Sequence, residues 1–281
     1  MPAFAGPDGR RLAYADEGAG PAVLCLAGLS RNGRDFEGLA ARLARRFRVL
    51  RLDSRGRGGS ERAVDPVAEY QVAVEAGDAL ALLDHLGLAE AAVVGTSRGG
   101  ILGMAMAAAR PGAVRALVLN DVGAAVETAG LGRIMGYLGR PPSAGTFEGV
   151  ARDMAAASAE TFPGVPPARW EAHARAVFDA DAAGRPALSY DPALAEVTAA
   201  ALAEAGERID LGPLFAAAAG VPMLVIRGAN SDILSAATLA EMRAARPDLE
   251  AIEVPDRGHA PFLDEPGVAE AIEDFLGRTT A

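Results

Sequence analysis

The sequence predicts an α/β protein with a mostly parallel central sheet, helices on its flanks and one inserted helical cap. Three features indicate this architecture. Short apolar runs alternate with helical segments over the first 123 residues, a pattern typical of parallel strands joined by right-handed crossovers. Strand-like runs then stop and return only at residue 221. Between these two parts, alanine-rich helical segments alternate with glycine and proline breaks, as expected for an insertion.

The N-terminal elements are predicted to begin with a hairpin. Residues 10–17 alternate in a strand-like way, residues 18–21 supply a Gly-Ala-Gly-Pro turn, and residues 22–26 form a continuous apolar run. Helical spacing follows over residues 35–47, and another apolar run occupies residues 48–52. We therefore expect a hairpin that enters a sheet of buried strands.

The centre of the chain repeats the alternation of helix and strand. Residues 66–86 have helical periodicity, and Gly87 is suited to end that helix. A strand at residues 91–96, a helix at residues 99–110 and a strand at residues 116–120 follow. This pattern adds two parallel strands with a helix between them.

The chain divides into a core and a cap. Residues 1–123 and 214–281 are predicted to form the α/β core, and residues 124–213 the helical cap or lid. The second part of the core is predicted to contain a strand, a helix, a strand and a last helix, at residues 221–228, 235–246, 249–254 and 266–277.

Composition excludes several classes of protein. With 281 residues, 51% of them hydrophobic, the chain can bury a large core. A net charge of −10 argues against nucleic-acid binding, since a surface that follows phosphates needs positive charge. Apolar runs are too short for a signal peptide or a membrane span, so we expect a cytoplasmic protein without membrane insertion. The single Cys25 cannot form an internal disulfide, and the sequence does not decide between monomer and homodimer.

The segment Gly95-Thr96-Ser97-Arg98-Gly99 lies where an apolar strand turns into a helix of small residues. In this context a G-x-S-x-G motif predicts a nucleophile elbow, because the tight turn needs small flanking residues and lifts the serine hydroxyl clear of the sheet. A serine hydroxyl becomes a good nucleophile only when a histidine accepts its proton and a third group orients that histidine. The chain must therefore supply a histidine and an acid.

The histidine is expected to be His259. The chain contains three histidines, of which His85 lies near the end of a predicted helix and His173 lies in the predicted cap. We interpret both of these as structural. His259 follows the last predicted strand, at the same edge of the sheet as Ser97, and loops at the carboxyl ends of parallel strands converge.

Two aspartates that follow strands are candidates for the acid. Asp232 is favoured, because the glycine-containing loop before it can turn a carboxylate back toward His259. Asp121, which follows the strand after the elbow, is the alternative, and it could instead line the pocket or cap a helix of the insertion. The acid would orient His259 and stabilise its charged form without taking the proton.

Backbone amides are expected to bind the oxygen on which negative charge develops. The elbow supplies the amide of Arg98 at the start of a helix, and the loop after an early strand supplies a second amide, for which Leu29 is the candidate. These would be main-chain roles, so geometry matters more than the side chain.

These motifs resemble those of the α/β-hydrolase superfamily, in the capped branch of serine hydrolases that includes esterases, lactonases and meta-cleavage-product hydrolases. The resemblance implies the α/β-hydrolase fold with an inserted helical cap and spans nearly the whole chain. Ser97 at the elbow distinguishes the chain from epoxide hydrolases and haloalkane dehalogenases, which have an aspartate there. The matching segments are residues 26–29, the D-x-R-G-x-G-x-S loop at residues 53–60, and residues 95–99, 228–232 and 258–259.

Two positions depart from the family pattern. Ala27 stands where the family usually has a histidine that supports the oxyanion loop, so Ser30, Arg31 or Asn32 is expected to support it instead. Arg98 is a charged residue directly after the nucleophile. Together with Arg31 and Arg34 it could bind a substrate carboxylate, or it could pair with a nearby acid such as Asp53 or Asp121.

Together these features predict a serine hydrolase that cleaves a small-to-medium carboxylic ester or lactone through an acyl-enzyme on Ser97. A carbon–carbon bond hydrolase of a diketone-like carboxylic acid would use a similar set of residues, and a low-turnover ligand receptor or scaffold of the same fold is an alternative of another class. The small-molecule substrate is expected to contact Gly28, Arg31, Trp170 and Tyr137. No metal or organic cofactor is expected, because ligand-spaced clusters and a G-x-G-x-x-G turn are missing from the sequence.

Overall fold

The computed structural model describes residues 1–280 of the chain. Its strands are β1 (Ala3–Ala5), β2 (Arg11–Gly18), β3 (Ala22–Leu26), β4 (Arg48–Leu52), β5 (Ala91–Thr96), β6 (Val114–Asn120), β7 (Ala125–Glu127), β8 (Phe178–Ala180), β9 (Pro186–Leu188), β10 (Arg208–Asp210), β11 (Met223–Gly228) and β12 (Glu250–Val254). Its α-helices are α1 (Glu37–Leu43), α2 (Pro66–Glu69), α3 (Val72–His85), α4 (Arg98–Ala109), α5 (Thr128–Met135), α6 (Phe147–Ala157), α7 (Pro167–Val177), α8 (Leu194–Ala203), α9 (Gly212–Ala217), α10 (Ala236–Ala245) and α11 (Val268–Thr279).

The central sheet has the strand order β1-β2-β4-β3-β5-β6-β11-β12. The six strands from β4 to β12 in this order pair in parallel, and the two N-terminal strands pair in antiparallel fashion at one edge. The predicted α/β class and mostly parallel sheet are therefore confirmed. The parallel strands end at a common edge, which is where the loops that carry polar residues meet.

The predicted hairpin of the second and third strands is wrong, because β4 lies between them. The turn after β2 passes close to the end of α1: a Cβ on Gly18 would lie 2.5 Å from the carbonyl oxygen of Ala44 and 2.4 Å from that of Phe47. The segment after β2 therefore passes over the start of β4 instead of forming a hairpin with β3. β2 forms its hairpin with β1, where Phe4 faces Leu12.

Helices cover both faces of the sheet, and β3 shows how the sequence fills the two layers. Leu24 and Leu26 pack toward α3, α4, α9 and α10, whereas Val23 and Cys25 pack toward α1 and α11. All four side chains are fully buried. Burial raises the pKa of the Cys25 thiol to about 12, so this cysteine is an unreactive core residue.

The single helix predicted over residues 66–86 is divided into α2 and α3. Tyr70 leaves the helical conformation and Gln71 is extended, which lets the buried Tyr70 ring turn inward. Its hydroxyl donates to Asp191 at 2.6 Å and accepts from the Ala63 amide at 3.0 Å. These long-range contacts stabilise a break that helical periodicity alone does not indicate.

The insertion between β6 and β11 consists mainly of helices, α5 to α9, as its alanine-rich sequence predicts. It also contains two short antiparallel ribbons that the sequence did not indicate, β7 with β10 and β8 with β9. The first ribbon joins the two ends of the insertion. The predicted boundary at residue 213 lies inside α9, whose Phe215 packs with α4 in the core of the sheet.

Within residues 1–280, no helix combines the length and apolar character needed to cross a bilayer.

Candidate active site

Ser97 lies at the turn between β5 and α4 in a conformation that is uncommon for serine, with φ 52° and ψ −119°. The two flanking glycines permit this turn. A Cβ on Gly95 would lie 2.4 Å from the Gly100 amide nitrogen, and a Cβ on Gly99 would lie 1.9 Å from the carbonyl oxygen of Leu26. The motif therefore contains glycine because the backbone of the elbow contacts itself and the end of β3.

His259 bridges Ser97 and Asp121. The Ser97 hydroxyl oxygen and His259 Nε2 are 2.9 Å apart, and His259 Nδ1 lies 2.7 Å from Asp121 Oδ2. Because a carboxylate only accepts hydrogen bonds, this contact fixes Nδ1 as the protonated nitrogen and leaves Nε2 to accept from Ser97. A ring held in this way can take a proton from the hydroxyl while the carboxylate stabilises the resulting charge.

The carboxylate of Asp121 is fully buried and held in place by the loop after β11. The Gly228 amide donates to Asp121 Oδ1 at 2.8 Å, and the Ser231 hydroxyl donates to Oδ2 at 2.5 Å. Asp121 itself adopts φ 58°, a left-handed conformation that aspartate tolerates better than most residues. Its orientation toward His259 is therefore determined by three hydrogen bonds.

The preference for Asp232 as the partner of His259 is corrected by this geometry. Asp232 Oδ1 lies 2.5 Å from Arg133 Nη2 on α5, and its side chain is 31% exposed. The loop after β11 does turn toward His259, but it presents Ser231 and Gly228, which bind the alternative candidate Asp121. A sequence signal for Asp121 exists, since it directly follows the strand beside the elbow strand.

The two residues whose amides are expected to bind an oxyanion, Leu29 and Arg98, both lie close to Ser97. Arg98 is the first residue of α4, where backbone amides have no intrahelical acceptor. Gly28 and Leu29 line the same cavity as Ser97, and a Cβ on Gly28 would lie 3.8 Å from the Ser97 Cβ. The structure therefore brings the loop after β3 next to the nucleophile elbow.

The loop after β3 is supported without the histidine that Ala27 replaces. Of the three residues expected to support it, Asn32 is buried and donates through Nδ2 to Ser189 Oγ and to the Ala176 carbonyl, each at 3.2 Å. Its Oδ1 accepts from the Arg34 amide at 3.0 Å. Arg57 also contacts this loop, because its Nε donates to the Leu29 carbonyl at 2.8 Å, and sequence reasoning did not identify this contact.

The side chain of Arg98 points away from the cavity. Its guanidinium binds Glu75, with Nη2 2.8 Å from Oε1 and Nε 3.1 Å from Oε2. Of the two predicted roles, anion binding or pairing with an acid, the structure shows pairing. The acid is Glu75 on α3, not Asp53 or Asp121.

A cavity of about 890 Å³ opens over Ser97 and His259. The four residues expected to contact substrate, Gly28, Arg31, Trp170 and Tyr137, all line it. Most of the other lining residues come from the loop after β3, from α5, α6 and α7, and from the segment after His259. The insertion therefore forms much of the wall of this cavity.

Arg31 and His173 meet inside the cavity. Arg31 Nη1 and Nη2 lie 3.1 and 3.2 Å from the two ring nitrogens of His173, and Nη2 donates to Asp35 at 2.6 Å. Burial, together with the positive charges of Arg31 and Arg169, holds the pKa of His173 well below its ordinary value of 6.5. His173 is therefore a neutral group of the wall. His85 lies elsewhere, stacked on Phe4 at 5.5 Å between ring centroids.

The elbow, the parallel sheet and the hydrogen-bonded serine, histidine and aspartate define the class of protein. A family model for the alpha/beta hydrolase fold matches residues 21–266. The chain therefore belongs to the alpha/beta hydrolase family, and it is a hydrolase.

Three relatives cover nearly the whole chain. The 3-hydroxybutyrate-oligomer hydrolase of Cupriavidus necator is 39% identical over 95% of this chain and 93% of its own length. The 2-(acetamidomethylene)succinate hydrolase of Mesorhizobium japonicum is 31% identical over 93% of this chain and 90% of its own length. An alpha/beta hydrolase from Novosphingobium aromaticivorans has a solved structure that is 43% identical, with a TM-score of 0.91 over 99% of this chain and 97% of that one.

Proposed function

We propose that this protein is a serine hydrolase that cleaves a small-to-medium carboxylic ester or lactone through an acyl-enzyme on Ser97. The observation that supports this most directly is the hydrogen-bonded chain from the Ser97 hydroxyl through His259 to the buried Asp121. Hydrogen bonding of this kind activates a serine that is otherwise a weak nucleophile.

In the proposed reaction, Ser97 Oγ attacks the substrate carbonyl carbon while His259 Nε2 takes the hydroxyl proton. The carbonyl oxygen becomes an oxyanion that accepts hydrogen bonds from the amides of Leu29 and Arg98. His259 then returns the proton to the alcohol as its bond to the carbonyl carbon breaks. Water attacks the acyl-enzyme with His259 again acting as the base, and the bond to Ser97 Oγ breaks as His259 returns the proton to that oxygen and the acid is released. Asp121 holds His259 in the required tautomer and stabilises its protonated form.

The choice of an ester or lactone is supported by the relatives and by the cavity. An oligomer of 3-hydroxybutyrate, the substrate in the name of the Cupriavidus necator relative, is joined by carboxylic ester bonds. The cavity of about 890 Å³ has the size of sites that bind small molecules. We infer that Gly28, Arg31, Trp170 and Tyr137 contact the substrate and that the insertion acts as a cap over it.

A fluorophosphonate probe tests the proposal. The wild type should be labelled at Ser97 and should hydrolyse members of a panel of esters and lactones of increasing acyl length. Ser97→Ala should lose labelling and lower kcat by a factor on the order of 10⁵–10⁶. Ser158→Ala, which changes another serine of the cavity wall, is the matched control and should retain both.

Two results would count against the proposal. Absence of labelling in the folded wild type would contradict the role of Ser97 as nucleophile. Labelling at Ser97 without turnover of any ester or lactone would instead favour the ligand receptor.

A further inference from the structure

A buried network of three charged side chains lies beneath the nucleophile elbow. Glu75 on α3 is 1% exposed and accepts from two arginines at once. Arg57 Nη1 lies 3.1 Å from Glu75 Oε1, and Arg98 Nη2 lies 2.8 Å from the same oxygen. Arg57, in the loop after β4, is 1% exposed as well. Helix α3, the loop after β4 and the start of α4 are thereby joined through one carboxylate.

The two arginines of this network are linked to the two residues whose amides are proposed to bind the oxyanion, Leu29 and Arg98 itself. Arg57 Nε donates to the carbonyl oxygen of Leu29 at 2.8 Å. Arg98 carries the other amide that is proposed to donate to the oxyanion. The network therefore connects, through Glu75, the two backbone segments that would bind the developing negative charge.

Further contacts fix the arginines themselves. Arg57 Nη1 also donates to the Arg55 carbonyl at 2.7 Å, and its guanidinium lies over the Tyr70 ring, 5.4 Å from the centroid. Arg98 Nη2 donates to the Tyr70 carbonyl at 2.9 Å. The planar guanidinium groups thus have little freedom to rotate, as is needed for a support that transmits position.

Stability alone is a weak explanation for this network. Burying ions costs free energy that their mutual attraction often fails to exceed, and apolar side chains of similar volume stabilise a fold equally well. Burial raises the pKa of Glu75, but the two guanidinium groups outweigh burial and hold the pKa below its ordinary value, so the carboxylate stays charged. A charged network in this place is better explained by what it positions.

We propose that Arg57, Glu75 and Arg98 are positioning residues that fix the Leu29 and Arg98 amides relative to each other. This inference rests on the proposed function, in which those two amides bind the oxyanion. The network provides the support that a histidine at the position of Ala27 would give in the wider family. It also explains why a charged residue, Arg98, directly follows the nucleophile.

The position of the donors has a large effect on rate. Oxyanion donors act only when they lie about 2.7–3.1 Å from the developing charge, and loss of one donor lowers kcat by roughly 10²–10³. A displacement of about 1 Å can lower the rate by roughly 10². Loosening the network should therefore reduce kcat more than KM.

The test uses Arg57→Lys and Arg98→Met on the full chain. Arg57→Lys keeps a positive charge beside Glu75 but removes the Nε donor to Leu29. Arg98→Met keeps the backbone amide and removes the guanidinium. We expect kcat for an accepted ester to fall by about 10- to 100-fold in each variant, with KM changed by less than about threefold.

Arg55→Lys is the matched control. Arg55 lies in the same loop, is 1% exposed, and binds the buried Asp78 through two contacts of 2.7 Å. Its side chain contacts Asp8, Glu69 and Asp78, but not Leu29. Only the main-chain carbonyl of Arg55 contacts Arg57, and the lysine variant keeps that carbonyl. We expect this variant to lose thermal stability as Arg57→Lys does but to keep kcat within about twofold of the wild type.

A trifluoromethyl ketone supplies a readout that a merely structural role would not change. Ser97 Oγ adds to its carbonyl carbon, the hydroxyl proton passes to His259, and the carbonyl oxygen becomes an oxyanion, so the adduct resembles the transition state. Affinity for this ketone should fall in Arg57→Lys and Arg98→Met in proportion to kcat/KM. In Arg55→Lys it should stay at the wild-type value.

The outcomes separate this inference from the proposed function. If Ser97 is labelled and the wild type turns over esters, but Arg57→Lys and Arg98→Met keep the kcat and ketone affinity of the control, the positioning role is wrong and the proposed function stands. If Ser97→Ala retains turnover, the proposed function itself fails. Should Arg57→Lys not fold, Arg98→Met decides, because that side chain is 18% exposed.

Discussion

Asp121 and Asp232 show how a single residue is selected for a site. Both follow strands of the parallel sheet and both lie near the edge where His259 is found. Asp121 is buried against His259, whereas Asp232 is partly exposed and pairs with Arg133 of the insertion. The difference arises because Ser231 and Gly228 donate to Asp121, so the loop after β11 closes around that carboxylate.

Replacing each aspartate by asparagine separates their roles. Asp121→Asn should lower kcat by roughly 10³–10⁴, because an amide in place of the carboxylate favours the wrong tautomer of His259 and does not stabilise its charge. Asparagine tolerates φ 58°, so the backbone should be retained. Steady-state kinetics on an accepted ester, with a thermal melt of each variant, measures the effect.

Asp232→Asn is the control for this prediction. It removes a half-exposed ion pair, so kcat should stay within about twofold of the wild type and stability should change by about 0–1 kcal/mol. A large loss of kcat in this variant, with little loss in Asp121→Asn, would show that Asp232 is the acid after all.

At the scale of elements, the elbow is a contact between β5, α4 and the end of β3. The start of α4 packs so closely on β3 that a side chain at Gly99 would overlap the backbone oxygen of Leu26. Backbone atoms at the centre of a sheet cannot move aside as the end of a flexible side chain can. The second glycine of the motif is therefore required by packing between elements as well as by the turn.

Gly99→Ala should consequently destabilise the fold, by about 3 kcal/mol, at the upper end of the usual cost of overpacking, because the new methyl group can be accommodated only by moving α4 or β3. The matched control is Gly77→Ala in α3, where a Cβ meets no atom within 4 Å. That change should stabilise the protein by about 0.5–1 kcal/mol, as alanine is the better helix former. Chemical denaturation of both variants gives the two free energies of unfolding, and similar values would contradict the steric explanation.

At the scale of the whole molecule, the insertion is attached to the core at loops that also carry site residues. Arg34 Nη1 binds Asp179 at 2.7 Å, and the Gly58 amide donates to the Ser189 carbonyl at 2.7 Å. The contact between His173 on α7 and Arg31 on the loop after β3 lies inside the cavity between the two parts. A change in these contacts would therefore alter the stability of the protein, the position of the insertion and the shape of the cavity together.

The His173 contact predicts how stability depends on pH. The pKa of His173 is lowered in the folded protein, so below pH 6.5 the unfolded chain binds a proton that the folded protein does not. Stability should then be complete above about pH 6.5 and decrease as pH falls toward the folded pKa, by up to about 1.4 kcal/mol per pH unit.

His173→Phe keeps an aromatic ring beside Trp170 and Phe262 and removes the titration. Thermal melts of the wild type and of this variant between pH 7.5 and pH 5.5 should diverge on acidification, with the variant losing less stability. Parallel pH profiles for the two proteins would contradict a half-buried His173 that stays neutral in the folded protein.

The sequence by itself determined the α/β class, the main strands and helices, the insertion and the position of the elbow at Ser97. Strand and helix periodicity and the steric demands of a glycine-flanked turn are local properties, so they can be read along the chain. His259 could also be proposed from the sequence, because the chain has only three histidines and this one follows the last strand.

Only the tertiary structure decided the placement of β4 between β2 and β3, the contact of His259 with Asp121, and the contacts of Arg57 with Leu29 and Glu75. Each of these depends on which distant segments meet at one edge of the sheet: Asp121 and His259 are 138 positions apart, and Arg57 contacts Leu29 and Glu75 from a third loop. Burial and hydrogen bonds that form only when those loops converge determine which of several candidate side chains contacts His259.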